Sequence, residues 1–213
     1  MGTNRPYHPI KRVMDIAGSL ALLSASWPAI AVAACLIKVT LGGPVFFVQL
    51  RAGQYGEPFP LFKLRTMKPQ QAGDGPPLSD RERLTGLGVA LRRLSVDELP
   101  QLMNILRGEM SLVGPRPLPT QYLSRYSAAQ SRRHEVKPGL TGMAQVQRAG
   151  RIDWSTKLNL DVWYVDNLSL TTDLKILLKT LGVLVRDDGA DEQEFQGASA
   201  AAPQSERDTT RPA

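Results

Sequence analysis

The sequence predicts an α+β chain that is mostly helical, with one bilayer-length apolar helix near the N-terminus, a small β-hairpin after it and several short amphipathic helices. Three observations carry this prediction. Ile16 to Ile37 are 22 residues without a charge, about 33 Å of helix and so bilayer length. Val45–Val48 and Phe59–Leu64 are β-prone runs separated by Gly53, Gly56 and Pro58, the punctuation of a hairpin. Beyond residue 80 the apolar residues recur mainly at helical spacing. At 213 residues the chain suits one cored unit, and we divide it into an N-terminal membrane segment (1–40), a catalytic or binding body (41–186) and a tail (187–213).

The first element has three readings. Lys11, Arg12, Lys38 and Arg51 place positive charge on both sides of the apolar run, so charge gives a spanning helix no orientation. Pro28 sits near its middle, removing the bond to the Ser24 carbonyl and bending the helix, with the Ser24 and Ser26 hydroxyls available as replacement partners. A plain span is the ordinary reading of such a helix. One that enters, bends and returns to the same face is the second. Val32-Ala33-Ala34-Cys35 offers the third, a lipoprotein cleavage box, against which stand the length of the apolar run and the interruption at Asp15.

The hairpin follows, its aromatic surface supplied by Phe46, Phe47, Phe59 and Phe62. Residues 73–77 read as a flexible loop. Helices are predicted over Arg81–Leu94, Asp97–Leu106, Thr120–Tyr126, Ala128–Val136, Ser155–Asn167 and Thr172–Val185. In the last, Leu174, Leu177, Leu178, Leu181 and Leu184 form a stripe that suits either core packing or a membrane interface. From Asp187 onward seven acids face two arginines, a formal −5, so the rest carries +11 of the +6 total. That tail has one aromatic residue, Phe195, and reads as disordered.

Composition narrows the chemistry. Cys35 is the single cysteine and His8 and His134 the only histidines, so neither a disulfide framework nor a Cys/His zinc site is available, and a metal would need oxygen ligands. The basic body suits an anionic partner: phosphate, nucleic acid or anionic lipid. No Walker A, dinucleotide or nucleophile-elbow motif is present.

The most informative stretch is Ser95-Val96-Asp97-Glu98-Leu99-Pro100-Gln101-Leu102. Ser95 with Glu98 has the spacing of a capping box. Pro100 fits poorly in that helix but comfortably in the first turn of one capped by Asp97, a start that exposes two adjacent carboxylates beside free N–H groups. Such a pair suits Mg²⁺ with a diphosphate. Gly114-Pro115-Arg116-Pro117 holds an arginine between two prolines, stiff enough to clamp phosphate or simply a turn with a solvated charge. Lys137-Pro138-Gly139-Leu140-Thr141-Gly142 reads as a loop with one cation, and His134 as a packing or surface residue.

These runs occur in a familiar order: Lys11-Arg12 with Asp15, an apolar segment with a central proline, Gly43-Pro44-Val45-Phe46-Phe47, Phe62-Lys63-Leu64-Arg65-Thr66-Met67, then the stretches at 97, 114 and 137 and Leu160-Asp161-Val162-Trp163-Tyr164. Over residues 10 to 186 the chain resembles the bacterial sugar transferases, the small monotopic polyprenyl-phosphate phosphoglycosyl transferases. The resemblance implies transfer of a phosphosugar from a UDP-sugar to polyprenyl (undecaprenyl) phosphate, releasing UMP, at the cytoplasmic face of the bacterial inner membrane, as the first membrane step of capsule, exopolysaccharide, O-antigen or glycoprotein glycan synthesis. It implies Asp97 as a nucleophile that carries the phosphosugar, and Glu98, with Asp97, at Mg²⁺ or Mn²⁺. It implies Arg92 and Arg116 at the substrate phosphates, interfacial amphipathic helices, and a re-entrant rather than spanning helix. The chain departs from the family pattern twice. Trp27-Pro28 replaces a Ser-Pro pair at the bend, which favours a shallower or displaced bend near Ser24. Gln147-Arg148-Ala149-Gly150-Arg151 replaces Asn-Gly-Arg, leaving Arg148 and Arg151 as alternative phosphate ligands. The expected partners are the donor, the lipid acceptor, membrane lipid and a second copy in a homodimer, without nucleic acid. The alternative is a non-enzymatic, membrane-anchored basic binding module.

Overall fold

The structure, a computed structural model, describes residues 7–69, 78–147 and 152–185. It begins with α1 (Tyr7–Leu41), a single 35-residue helix with Pro28 inside it. Among the described residues this is the one helix long and apolar enough to cross a membrane. Its buried residues, Tyr7, Lys11, Asp15, Ser19, Ala33 and Ile37, repeat at nearly helical spacing and form one stripe down its length.

Both ends of that stripe dock on the rest of the chain. At the N-terminal end Lys11 Nζ donates to Asp173 Oδ2 (2.5 Å) and to the Val113 carbonyl (2.9 Å), and Tyr7 OH donates to the same Asp173 oxygen at 2.6 Å. Asp15 Oδ1 accepts from the Ser111 hydroxyl and the Leu112 N–H, each at 2.9 Å. At the C-terminal end Ala33 and Ile37 pack with Leu64 and Leu91, and the Arg65 guanidinium donates to the carbonyls of Leu41, Gly42 and Gly43. The hydroxyl rescue expected around Pro28 does not form: Ser24 is exposed and the Ser26 hydroxyl is buried without a partner. Cleavage before Cys35 would discard the Tyr7, Lys11 and Asp15 anchors, which argues against the lipoprotein reading.

The hairpin is β1 (Phe46–Ala52) and β2 (Pro58–Leu64), antiparallel with Phe46 opposite Leu64 and Ala52 opposite Pro58. The predicted helix over 81–94 is instead two helices, α2 (Asp80–Arg83) and α3 (Gly86–Arg93). Leu84 turns extended to bridge Met67, and the Thr85 hydroxyl caps a new start by accepting from the Gly88 N–H. Gly88 is required there because a Cβ would lie 2.0 Å from the Thr66 carbonyl oxygen.

Next come a 3₁₀ turn at Val96–Glu98 and α4 (Gln101–Arg107), closed by Gly108 at φ +87°. Two three-residue strands, β3 (Ser111–Val113) and β4 (Gly139–Thr141), pair in parallel, a contact without local periodicity to announce it. Between them the predicted 120–126 helix is a 3₁₀ turn (Thr120–Arg125), and the 128–136 helix is α5 (Ala128–Ser131) followed by a 3₁₀ turn (Arg132–Glu135). The short α6 (Met143–Val146), α7 (Trp154–Asp166) and α8 (Leu170–Val185) complete the unit. The core joins Tyr7 of α1, Phe59 and Leu61 of β2, Leu102 and Ile105 of α4, Tyr164 of α7 and Ile176 of α8. Core packing does not explain most of the α8 stripe: Leu174, Leu178 and Leu181 are exposed, while Leu177 packs against the core. The expected loop at 73–77 and the tail from 187 lie outside the described residues.

Candidate active site around the Asp97-Glu98 turn

Neither sequence-predicted start for the helix at Asp97 occurs. Ser95 adopts φ +54° and makes no side-chain cap, so the Ser95–Glu98 capping box is absent. Asp97 does not cap α4 either; Pro100 occupies that position, with Gln101 as the first helical residue. Asp97 and Glu98 therefore sit on a tight turn packed against α3, β2 and α1. The left-handed Ser95 reverses the chain after α3, its N–H donating to the Arg92 carbonyl at 2.9 Å.

Glu98 is bound across the fold. Its Oε1 accepts from Lys63 Nζ at 2.8 Å and from Arg116 Nη2 at 2.9 Å. Burial disfavours its charged form, but the Arg116 guanidinium and then the Lys63 ammonium outweigh that and hold its carboxyl well below the usual range. Asp97 is also buried, 6% exposed. Arg92 stands at the end of α3, its Nε donating to Thr66 Oγ1 at 3.0 Å. The fold thus joins Glu98 to Arg116 and Lys63, 18 and 35 residues away, while Arg92, at the end of the helix that precedes the turn, is held by Thr66.

Lys63 is the residue that sequence reasoning missed as a site member. It was visible only as part of Phe62-Lys63-Leu64-Arg65-Thr66-Met67; alternation along β2 puts Lys63 opposite Phe47 and toward the turn. Arg148 and Arg151 lie outside the described residues.

Among the described residues no three His, Cys, Asp or Glu side chains gather as a metal cage. Adjacent Asp97 and Glu98 are the donor set available, and it fits a cation that takes one or two carboxylates and completes its shell with substrate phosphate oxygens. His134, by contrast, is a packing residue: 9% exposed, with Nδ1 3.1 Å from the Gly53 carbonyl and its ring against Tyr126.

A family profile described as bacterial sugar transferase matches residues 6–187. The chain belongs to the bacterial sugar transferase family. It is 47% identical over 180 residues to the uncharacterized sugar transferase EpsL of Bacillus subtilis (strain 168), covering 84% of this chain and 89% of that protein. It is 41% identical over 192 residues to the UDP-glucose:undecaprenyl-phosphate glucose-1-phosphate transferase of Caulobacter vibrioides, covering 84% and 71%. With the undecaprenyl-phosphate galactose phosphotransferase of Salmonella typhimurium it shares 38% over 201 residues, 85% of this chain but 41% of that longer protein. As a bacterial sugar transferase, the chain has its matched region running from the start of α1 through the end of α8, the part of the fold that encloses the Asp97-Glu98 turn.

Proposed function

We propose that this sugar transferase moves a sugar phosphate from a UDP-sugar to polyprenyl phosphate, releasing UMP, with Asp97 as a covalent nucleophile. One observation carries the reading: a buried aspartate adjoins a glutamate that two cations, Lys63 and Arg116, keep ionised. The names of the Caulobacter and Salmonella relatives, a glucose-1-phosphate transferase and a galactose phosphotransferase acting on undecaprenyl phosphate, supply the substrate class.

A carboxylate needs no deprotonation to attack phosphorus. An Asp97 oxygen bonds to the sugar-bearing phosphorus, the bridging P–O bond breaks with its electron pair, and UMP leaves. An oxygen of polyprenyl phosphate then attacks the same phosphorus, the Asp97–phosphorus bond breaks, and the carboxylate is restored. Arg116 and Arg92 offset charge on the phosphoryl oxygens. Mg²⁺, when bound, supplies further charge neutralisation at the diphosphate, and Asp97 and Glu98 would hold it. The two docked ends of α1 support a re-entrant helix with both ends on one side of the membrane; on this reading that side is the cytoplasmic one, where both substrates meet.

The test is purified full chain incubated with a panel of UDP-sugars, Mg²⁺ and undecaprenyl phosphate. UMP release is expected with at least one donor. Without acceptor, the intact mass of the protein should rise by one sugar phosphate. In Asp97→Asn both signals should disappear, a loss on the order of 10³-fold or more. Undiminished turnover in Asp97→Asn rejects the mechanism; salt-sensitive nucleic-acid binding without any UMP release favours a basic binding module instead.

A further inference from the structure

Arg116 is useful to a phosphate only if its backbone is still, and the loop that carries it is held at almost every carbonyl. The Val113 carbonyl accepts from Lys11 Nζ and Tyr164 OH, Pro115 from the Gly139 N–H, Pro117 from Arg51 Nη1 and Leu118 from the Ala52 N–H. The Arg116 carbonyl accepts from Arg133 Nη2 at 2.7 Å. Arg133 is itself clamped: its Nε and Nη2 both donate to Asp161 Oδ2, at 3.0 and 2.7 Å, with both side chains at most 5% exposed. A buried ion pair is a poor source of stability, because desolvation cancels most of the attraction. Here it does something else. It aims one arm of a planar fork at a backbone carbonyl next to the candidate active site.

We propose that Arg133, oriented by Asp161 of α7, is a positioning residue that fixes the Arg116 backbone and thereby holds its guanidinium at Glu98 and the substrate phosphates. This rests on the phosphate-binding role read for Arg116 above. It also gives a task to Asp161, the second residue of the Leu160–Tyr164 motif, which the proposed mechanism does not otherwise use. Lysine cannot replace Arg133, since one ammonium lacks the fixed geometry that serves a carboxylate and a carbonyl at once.

A double-mutant cycle on the full chain separates positioning from mere stability. Arg133→Lys should raise the KM for the UDP-sugar and lower kcat/KM by about tenfold or more, the usual scale for one charge-assisted hydrogen bond. In an Arg116→Ala background the same change should cost less than about twofold, because the group it positions is gone. Asp161→Asn, which keeps an acceptor but removes the charge, should behave the same way and covers the case where Arg133→Lys does not fold. Tyr126→Phe removes only the peripheral 3.4 Å contact to Arg133 Nη1 and should leave the kinetics unchanged. The cycle is repeated on pyrophosphate affinity by calorimetry, which needs no turnover. Independent, multiplying effects in the two backgrounds overturn the proposal, as do wild-type kinetics in Arg133→Lys or a Tyr126→Phe defect of equal size. Wild-type protein that binds pyrophosphate yet releases no UMP from any donor rejects the transferase reading instead, and leaves the cycle on affinity to decide the positioning role.

Discussion

At the scale of single residues, Glu98 and His134 show opposite uses of burial. Glu98 is half-buried yet ionised because two cations converge on one of its oxygens. Glu98→Gln should leave Lys63 and Arg116 facing a neutral amide, and we expect kcat/KM to fall on the order of 10²–10³-fold, the scale seen when one preorganised electrostatic partner is lost; activity within threefold of wild type rejects that role. His134 is buried and neutral. Burial first, and the neighbouring Arg133 charge second, push its pKa down to about 4 from 6.5, against the hydrogen bond to Gly53. Between those values the unfolded chain takes up a proton that the folded chain refuses, so stability is intact above about pH 6.5 and declines as the pH falls toward 4. The loss is on the order of 3 kcal/mol. Melting curves of wild type and His134→Gln between pH 7 and 4 isolate it: the gap between the two should narrow on acidification, and a constant gap excludes the effect.

At the scale of elements, much of the architecture was legible and the conformation of the Asp97-Glu98 turn was not. β1 and β2 announce themselves through β-prone runs separated by Gly53, Gly56 and Pro58, and α7 through the helical pattern over Ser155–Asn167, its start capped two residues earlier by Asp153, whose carboxylate accepts from the Thr156 N–H. The break between α2 and α3 depends on Thr66 and Met67, some twenty residues upstream, and no local pattern reports it. The Ser95–Glu98 spacing misled because Glu98 had better partners 35 and 18 residues away in Lys63 and Arg116. Local rules give way where charges from distant parts of the chain converge. A second charged junction ties α1 to α8 and α7. Asp173 accepts from Tyr7, Lys11 and Tyr164 and is 2% exposed. Asp173→Ala would strand the Lys11 ammonium, so we expect a loss of about 3–5 kcal/mol, whereas Lys11→Met with Asp173→Leu should recover most of it. Chemical denaturation of the detergent-solubilised protein reads both; a double variant no more stable than Asp173→Ala contradicts the stranded-charge account.

At the scale of the whole molecule, α1 imposes a topology. A straight helix of 35 residues extends about 52 Å, well beyond a hydrocarbon core of about 30 Å. Yet one folded unit holds both of its ends: Asp173 and Ser111 bind the Tyr7 end, while Leu64, Leu91 and Arg65 bind the Leu41 end. A helix that delivered these ends to opposite faces of a bilayer would have to give up one set of contacts. The exposed apolar residues in its middle, Leu20, Leu22, Trp27 and Val32, are the part left to meet lipid. Both ends should therefore lie on the same side. With Cys35 replaced by Ser, single cysteines at His8 and Val39, both exposed positions, can be probed in spheroplasts with a membrane-impermeant maleimide. Neither should react before lysis and both should react after it. Labelling of one from outside intact spheroplasts, with the other protected, would require a spanning helix and would mean that one docked end of α1 separates from the catalytic body in the membrane.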